Sequence, residues 1–356
     1  MRGVFIVVPS LNPTGPIKGA VALANGLADT CPVTLAALKA GPEPVYRIAE
    51  GVRVVRLAEY GSPRKRLDAY TRLLAEAGGR SHSVSVSMCL SADFFNAMCK
   101  KHARIISSVR GNLPQNYRMD YGPLGVGAAM AHLVLLRRFD AVTAMSESMA
   151  DQIRRFLGRR PEVVHNFIDE AELEPYRATE RHTGSGEHRF VFVGSLSLRK
   201  KPRLLLEAAK ELKARGEQVH IRLVGDGPMR TELERDAKSM GLGDCVAFMG
   251  QRDDPYPEVA AADVFVLPSL SEGVSRAALE ALYLGVPCVM RDVDANRELV
   301  KEPAQGRLFS RDEDIAHVML AVSQEAKQRT GRPCLLPPEF RQEYAIARYR
   351  GIIGLA

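Results

Sequence analysis

Through the second half of this chain one pattern repeats: a short run of branched or aromatic residues, a glycine- or proline-bearing turn, then an amphipathic stretch. The runs at 190–193, 220–224, 247–249, 264–267 and 287–290 alternate with helical patterns near 204–214, 229–240, 258–261 and 276–284. Strands joined through helices cannot fold back as hairpins. They pair in parallel, with the connecting helices covering the sheet. The first half repeats the scheme less regularly, with strands predicted at 4–8, 33–38, 52–57, 84–88, 104–109 and 141–144 and helices at 20–28 and 92–100. The pattern predicts an α/β protein. At 356 residues the chain is long enough for two such domains.

The charge is unevenly placed. Lys and Arg number 22 through His165 against 12 Asp and Glu, whereas the remainder has 27 against 30. The basic half predicts an anionic partner, a membrane surface or a phosphate-bearing acceptor. No aromatic-interleaved basic ribbon marks the chain for nucleic acid. Within that half, residues 62–80 form a basic helix with Leu67, Tyr70, Leu73 and Leu74 on one side, able to lie on an anionic bilayer or to pack on a sheet. The longest low-polarity run, 124–136, contains His132 and is shorter than the roughly 20 residues that span a bilayer. His132 itself reads as a packing residue. No signal peptide is visible, and the six scattered cysteines form no CxxC pair, so a reducing cytoplasm is expected, with no metal site and no cofactor.

The stretch 269–287, SLSEGVSRAALEALYLGVP, follows an apolar strand with a polar turn and then a helix that Ser275 can cap. Strand, tight turn and helix aim free N–H groups and a positive dipole end at an anion. Glu272 and Glu280 frame the turn. If every intervening step were helical, they would lie about 12 Å apart at roughly 1.5 Å per residue, about the reach from sugar to ribose in a nucleotide diphosphate sugar.

Glu, seven residues, Glu and then ALYLGVP resembles the signature of the family 4 retaining glycosyltransferases. Three other segments match that family in order: FVGSL at 192–196, the basic run at 199–202, and VGDGP at 224–228. The resemblance implies the GT-B fold: two Rossmann-like domains facing each other across a deep cleft, with a C-terminal helix crossing back to the N-terminal domain. It places an acceptor domain at 1–165, a nucleotide-sugar domain at 166–336 and the returning helix at 337–356.

It also implies roles. Lys200 and Arg199 supply cations to the leaving diphosphate, beside Gly194 and Ser195. Where the family has an arginine this chain has Ser195, so either Arg199 compensates from four residues on or the site relies on the lysine alone. Glu272 holds donor-sugar hydroxyls and Glu280 the ribose. Backbone N–H groups of Gly273, Val274 and Ser275 hold the pyrophosphate. Gln251 and Arg252 border the base, and Gly225 and Gly227 keep that pocket open. Asp226 serves as turn chemistry or as a ligand contact. In the first half, Gly15 and Gly19 lie in a loop over the pyrophosphate. Arg110, Asn112, His165 and Asn166 sit by the cleft. Arg110 stands where many relatives carry a histidine, and it is better suited to phosphate than to proton abstraction.

The implied reaction moves a hexose or N-acetylhexosamine from a nucleotide diphosphate sugar, UDP foremost, to a glycan or lipid-linked acceptor. Substitution is on the same face of the sugar and needs no metal. The alternative is a catalytically silent nucleotide-sugar-binding subunit or scaffold. The expected location is cytoplasmic, peripheral on the inner face of a membrane.

Overall fold

The computed structural model describes residues 2–12, 14–41, 46–111, 113–177, 186–293 and 295–355, except for the side chains of 116, 120 and 121. By contact the chain divides into two units, Met1–Asp169 with Pro338–Ala356, and Glu170–Pro337. Most of the predicted connector at 177–188 lies outside the described residues.

Among its described residues the first unit holds seven strands: β1 (Gly3–Val8), β2 (Val33–Ala37), β3 (Val52–Arg56), β4 (Ser83–Met88), β5 (Arg104–Val109), β6 (Ala141–Ala144) and β7 (Glu162–Val163). They are ordered β3-β2-β1-β4-β5-β6-β7, and every pair is parallel. The helices are α1 (Gly15–Ala28), α2 (Pro63–Glu76), α3 (Leu90–Met98), α4 (Leu113–Leu136) and α5 (Glu147–Leu157). The two faces of the sheet are built from alternate residues, as a period of two requires. Val4, Ile6, Val8, Val84 and Val86 face a core completed by α1. Phe5, Val7, Ala36 and Val55 face a second core with Tyr70, Leu74 and Phe95. In β4 (SVSVSM) the valines enter the first core, and the serines hydrogen-bond on the other side. Ser83 donates to the Leu74 carbonyl, and Ser85 meets the Tyr70 hydroxyl at 2.7 Å.

Tyr70 and Leu74 are fully buried, and Leu67 and Leu73 pack against the same core. The apolar side of α2 that could have met a bilayer is therefore used inside the unit. The helix after β1 begins at Gly15, not near residue 20, so Gly15 and Gly19 are helical and the loop before them is shorter than predicted.

The second unit contains β8 (His188–Val193), β9 (Val219–Val224), β10 (Val246–Gly250), β11 (Val264–Leu267), β12 (Cys288–Arg291) and β13 (Gly306–Phe309). They form one parallel sheet ordered β10-β9-β8-β11-β12-β13. Its helices are α6 (Glu170–Leu173), α7 (Arg203–Ala214), α8 (Arg230–Ser239), α9 (Tyr256–Ala260), α10 (Arg276–Tyr283), α11 (Asn296–Leu299) and α12 (Ile315–Gln328). The alternation at 306–328 went unread because β13 is only GRLF, with Arg307 exposed. Last, α13 (Gln342–Ile353) rejoins the first unit. Gln342 donates to the Ala22 carbonyl of α1, Tyr349 meets the Ser108 hydroxyl at 2.9 Å, and Ile353 is buried.

Candidate functional site

Each sheet reverses its strand order once, between β1 and β4 in the first unit and between β8 and β11 in the second. Ligands of open α/β sheets bind beyond the carboxyl ends of the strands at such a point.

In the second unit the chain leaving β8 passes Gly194 and the exposed Ser195, makes a turn at Leu198–Lys200, and reaches Lys201 in the left-handed region at φ 49°. That residue reverses the chain and sends neighbouring side chains to different places. Lys200 Nζ lies 2.5 Å from Glu272 Oε1. Arg199 donates to the Ser271 carbonyl at 2.9 Å and lies 3.7 Å from the same glutamate oxygen. The Arg199 carbonyl accepts from the Leu270 N–H at 2.8 Å, so the loops after β8 and β11 are joined backbone to backbone. Lys201 pairs instead with Asp312, which also takes Arg291. Arg199 therefore reaches the site from four residues beyond Ser195.

Glu272 is 7% exposed. Burial would raise its carboxyl, but Lys200 and Arg199 outweigh that and hold it below the usual glutamate range.

Helix α10 starts at Arg276, and the Ser275 hydroxyl accepts from the Ala278 N–H at 3.4 Å. Gly273 and Val274 are buried just ahead of it. Only the last steps from Glu272 to Glu280 are helical, so the all-helical spacing of the two glutamates is corrected: the loop sets it. Glu280 is buried one turn into the helix, with Arg276 Nε 3.2 Å from its Oε1. Arg276 has no counterpart in the resemblance, and its place is now plain: it balances the charge of Glu280. The segment entering the unit braces this helix and α9, since the Tyr283 hydroxyl of α10 donates to Glu174 at 2.5 Å and the Tyr256 hydroxyl of α9 to Glu172 at 3.3 Å.

Gly225 and Gly227 do not hold space open; they let backbones touch. A Cβ on Gly225 would lie 2.0 Å from the Gly194 carbonyl oxygen, and one on Gly227 2.6 Å from that of Leu196. The Gly225 N–H donates to the Gly250 carbonyl, stitching β9 to the strand end before the exposed Gln251 and Arg252. Asp226 serves the turn, accepting from the Gly227 N–H at 2.7 Å and pairing with Arg230 at 2.9 Å. Gly225 also sits at φ 136°. Gly225→Ala should therefore destabilise the unit by about 2–3 kcal/mol. Gly243→Ala, whose Cβ would meet nothing within 4 Å, should barely move the thermal midpoint in the same assay.

In the first unit Arg110 follows β5. It donates to Asn166 Oδ1 at 2.9 Å and to the Met88 sulfur, and its guanidinium lies over Gly19, where a Cβ would approach to 3.0 Å. A Cβ on Gly15 would meet nothing within 4 Å. The structure thus brings Arg110, Asn166 and Gly19 together at the strand ends. His165 instead packs on Phe340, ring centroids 4.7 Å apart. Asn112 lies outside the described residues.

Sequence reasoning missed one buried cluster. His132 is not an apolar packing residue: its Nε2 lies 2.6 Å from Asp93 Oδ2, and its Nδ1 lies 3.2 Å from the Tyr117 hydroxyl. Asp93 also accepts from Ser87 at 2.6 Å and Ser107 at 2.9 Å. The available signal was Asp93, Asn96, whose Nδ2 donates to Ser87 at 3.0 Å, and alternating serines, in segments that otherwise read as core.

Residues 14–166 match the family described as "Glycosyl transferase 4-like domain", and residues 187–325 match "Glycosyl transferases group 1". The chain is 35% identical over 157 residues to the Escherichia coli UDP-Gal:alpha-D-GlcNAc-diphosphoundecaprenol alpha-1,3-galactosyltransferase, a match covering 41% of this chain and 40% of that one. It is 23% identical over 269 residues to the Bacillus anthracis N-acetyl-alpha-D-glucosaminyl L-malate synthase, covering 72% and 68%. The matches span between 26% and 47% of the length of the first three curated relatives. Among solved structures, the sucrose-phosphate synthase of Thermosynechococcus elongatus matches at TM-score 0.76 and 16% identity, and the Anabaena protein HepE in complex with UDP at 0.70 and 17%. Each match covers 100% of both chains. With both halves matched in order and two parallel sheets of this connectivity, the chain belongs to family 4 of the glycosyltransferases and has the GT-B fold.

Proposed function

We propose that the chain transfers a hexose or N-acetylhexosamine from a UDP-sugar to a glycan or lipid-linked acceptor, with retention at the anomeric carbon and without a metal. The observation that carries this reading is the Lys200–Glu272 pair at the strand-order reversal of the second sheet, with Arg199 alongside and the start of α10 beyond. The names of the E. coli galactosyltransferase and the UDP-bound HepE support UDP as the nucleotide. The diphosphoundecaprenol in the first name supports an acceptor carried on lipid.

In this reading the bond between the anomeric carbon and the β-phosphate oxygen breaks, and its electron pair stays on the phosphate. The acceptor oxygen bonds to that carbon on the same face, and its proton passes to the departing phosphate. Lys200 and Arg199 meet the charge that grows on the diphosphate, an interaction stronger in the transition state than before it. Glu272 positions sugar hydroxyls, Glu280 the ribose, and the N–H groups from Gly273 to Ser275 the pyrophosphate. Arg110 and Asn166 serve an anionic part of donor or acceptor.

UDP should raise the thermal midpoint more than GDP or ADP at equal concentration. Incubation with a UDP-sugar and acceptor should release UDP at a rate unchanged by EDTA, and proton NMR of the first product should show the donor's anomeric configuration. Inverted product would refute retention. A UDP shift with no UDP release from any UDP-sugar, with or without acceptor, would favour the silent binding protein.

A further inference from the structure

Ten large apolar side chains are exposed among the described residues, and seven of them lie on α3 or α4: Phe94, Met98, Met119, Leu124, Val126, Met130 and Val134. The clustering has a simple origin in sequence. From Tyr121 to Leu136 the chain contains no Asp, Glu, Lys or Arg. Helix α4 breaks at Gly122 (φ 65°) and restarts at Pro123. Beyond the break, Ala129, His132, Leu133 and Leu136 are buried. Leu124, Gly127, Met130, Ala131 and Val134, at helical spacing, form an outward ridge.

A helix that is apolar all round belongs inside a protein or in lipid. No described helix is long and apolar enough to cross a membrane, and residues 123–136 would measure only about 21 Å. The remaining solution is to lie in the plane of an interface. Phe94 and Met98 of the adjacent α3 extend the apolar strip, since Asp93 of α3 reaches His132 of α4. Basic residues gather at one end of it. Arg137 and Arg138 follow α4, Lys100 and Lys101 follow α3, and Lys100 Nζ donates to the Arg138 carbonyl at 2.6 Å.

We infer that the α3–α4 ridge seats this chain on an anionic phospholipid surface. Its apolar side chains enter the acyl boundary, and the exposed Lys101 and Arg138 meet the headgroups, while Lys100 and Arg137 donate to backbone carbonyls. Pairing of two copies through the apolar side chains would need no anion and no basic residue, so it is an outcome of the test below. The inference gives a site to the proposed use of a lipid-borne acceptor. It is measured without donor or acceptor, so its failure would leave the transferase reading standing.

The test is flotation of the full chain with vesicles of phosphatidylcholine alone or of an equal mixture with phosphatidylglycerol. Binding is expected to the mixture, weakened by salt. Leu124→Ser/Val134→Ser should reduce it about tenfold or more, and Lys101→Gln/Arg138→Gln by about fivefold per charge. Tyr344→Ser, an exposed aromatic on α13, should leave it unchanged. All these sites are exposed, so the variants should keep the wild-type thermal midpoint. No binding to the mixed vesicles, or binding indifferent to Leu124→Ser/Val134→Ser, would overturn the inference. So would sedimentation showing a dimer that this double substitution dissociates.

Discussion

Lys200→Ala is expected to lower the transfer rate by about a thousandfold, with a much smaller change in UDP affinity. The split follows from where the ammonium sits. Before reaction its charge is matched by Glu272 at 2.5 Å. It gains most when the bond to the diphosphate breaks, so its loss appears in kcat more than in KM. The substitution also strips a buried carboxylate of its nearest cation, leaving Arg199 at 3.7 Å, so some stability should be lost as well. Lys200→Ala/Glu272→Gln separates the two effects: removing the stranded charge should restore the thermal midpoint but not the rate. Lys201→Ala breaks only the contact to Asp312 and should stay within about twofold of wild type in rate. Glu272 is held below the usual glutamate range. The pair's contribution should therefore be complete above pH about 4.3 and fade only as pH falls through the lower folded value. An acid limb in kcat near neutrality would have to come from another group. Equal loss in Lys200→Ala and Lys201→Ala would mean the basic run acts through bulk charge.

Strands and helices were legible wherever a period of two or 3.6 ran for several turns, as in α7, α8 and the strands from β8 to β12. The motif residues of the second unit were legible because a motif fixes position along a strand end: Lys200 and Glu272 meet across the loops after two neighbouring strands. What the motif does not encode is side-chain partnership. Nothing local says that Arg199 would take the Ser271 carbonyl while Lys201 turns to Asp312; that follows from a left-handed residue in the middle of the basic run. The glycines after β9 were legible as glycines but not in purpose, because the atoms that demand them belong to Gly194 and Leu196, some thirty residues away. The basic half was legible only as a net charge. The sequence offered α2 for the bilayer on an amphipathic pattern that the core turns out to use, while the apolar run in α4 read merely as too short to span.

Asp93→Ala should be the most destabilising single substitution in the first unit, by about 4 kcal/mol and about 10 °C in thermal midpoint. The carboxylate is 1% exposed and accepts from Ser87, Ser107 and His132. Burial pushes it up, against the pull of those three hydrogen bonds. Truncation takes the carboxylate acceptor from two hydroxyls and from the imidazole Nε2 in a place water does not reach, and each loss carries its own penalty. Asp93→Asn keeps the shape and an acceptor and should cost roughly half as much. Asp93→Ala/His132→Ala should cost less than the sum of its parts, since the second change removes a group the first has stranded. Beyond energy the pair has a positional effect. An α4 segment with apolar side chains on every side could settle in several rotational registers with similar burial, and His132 reaching Asp93 selects one. In Asp93→Ala the amide protons from Ala128 to Leu136 should exchange faster by more than the global loss of stability predicts. Val134 and Met130 should then lose their fixed outward placement, so the same variant should float less well with anionic vesicles although no exposed residue has changed.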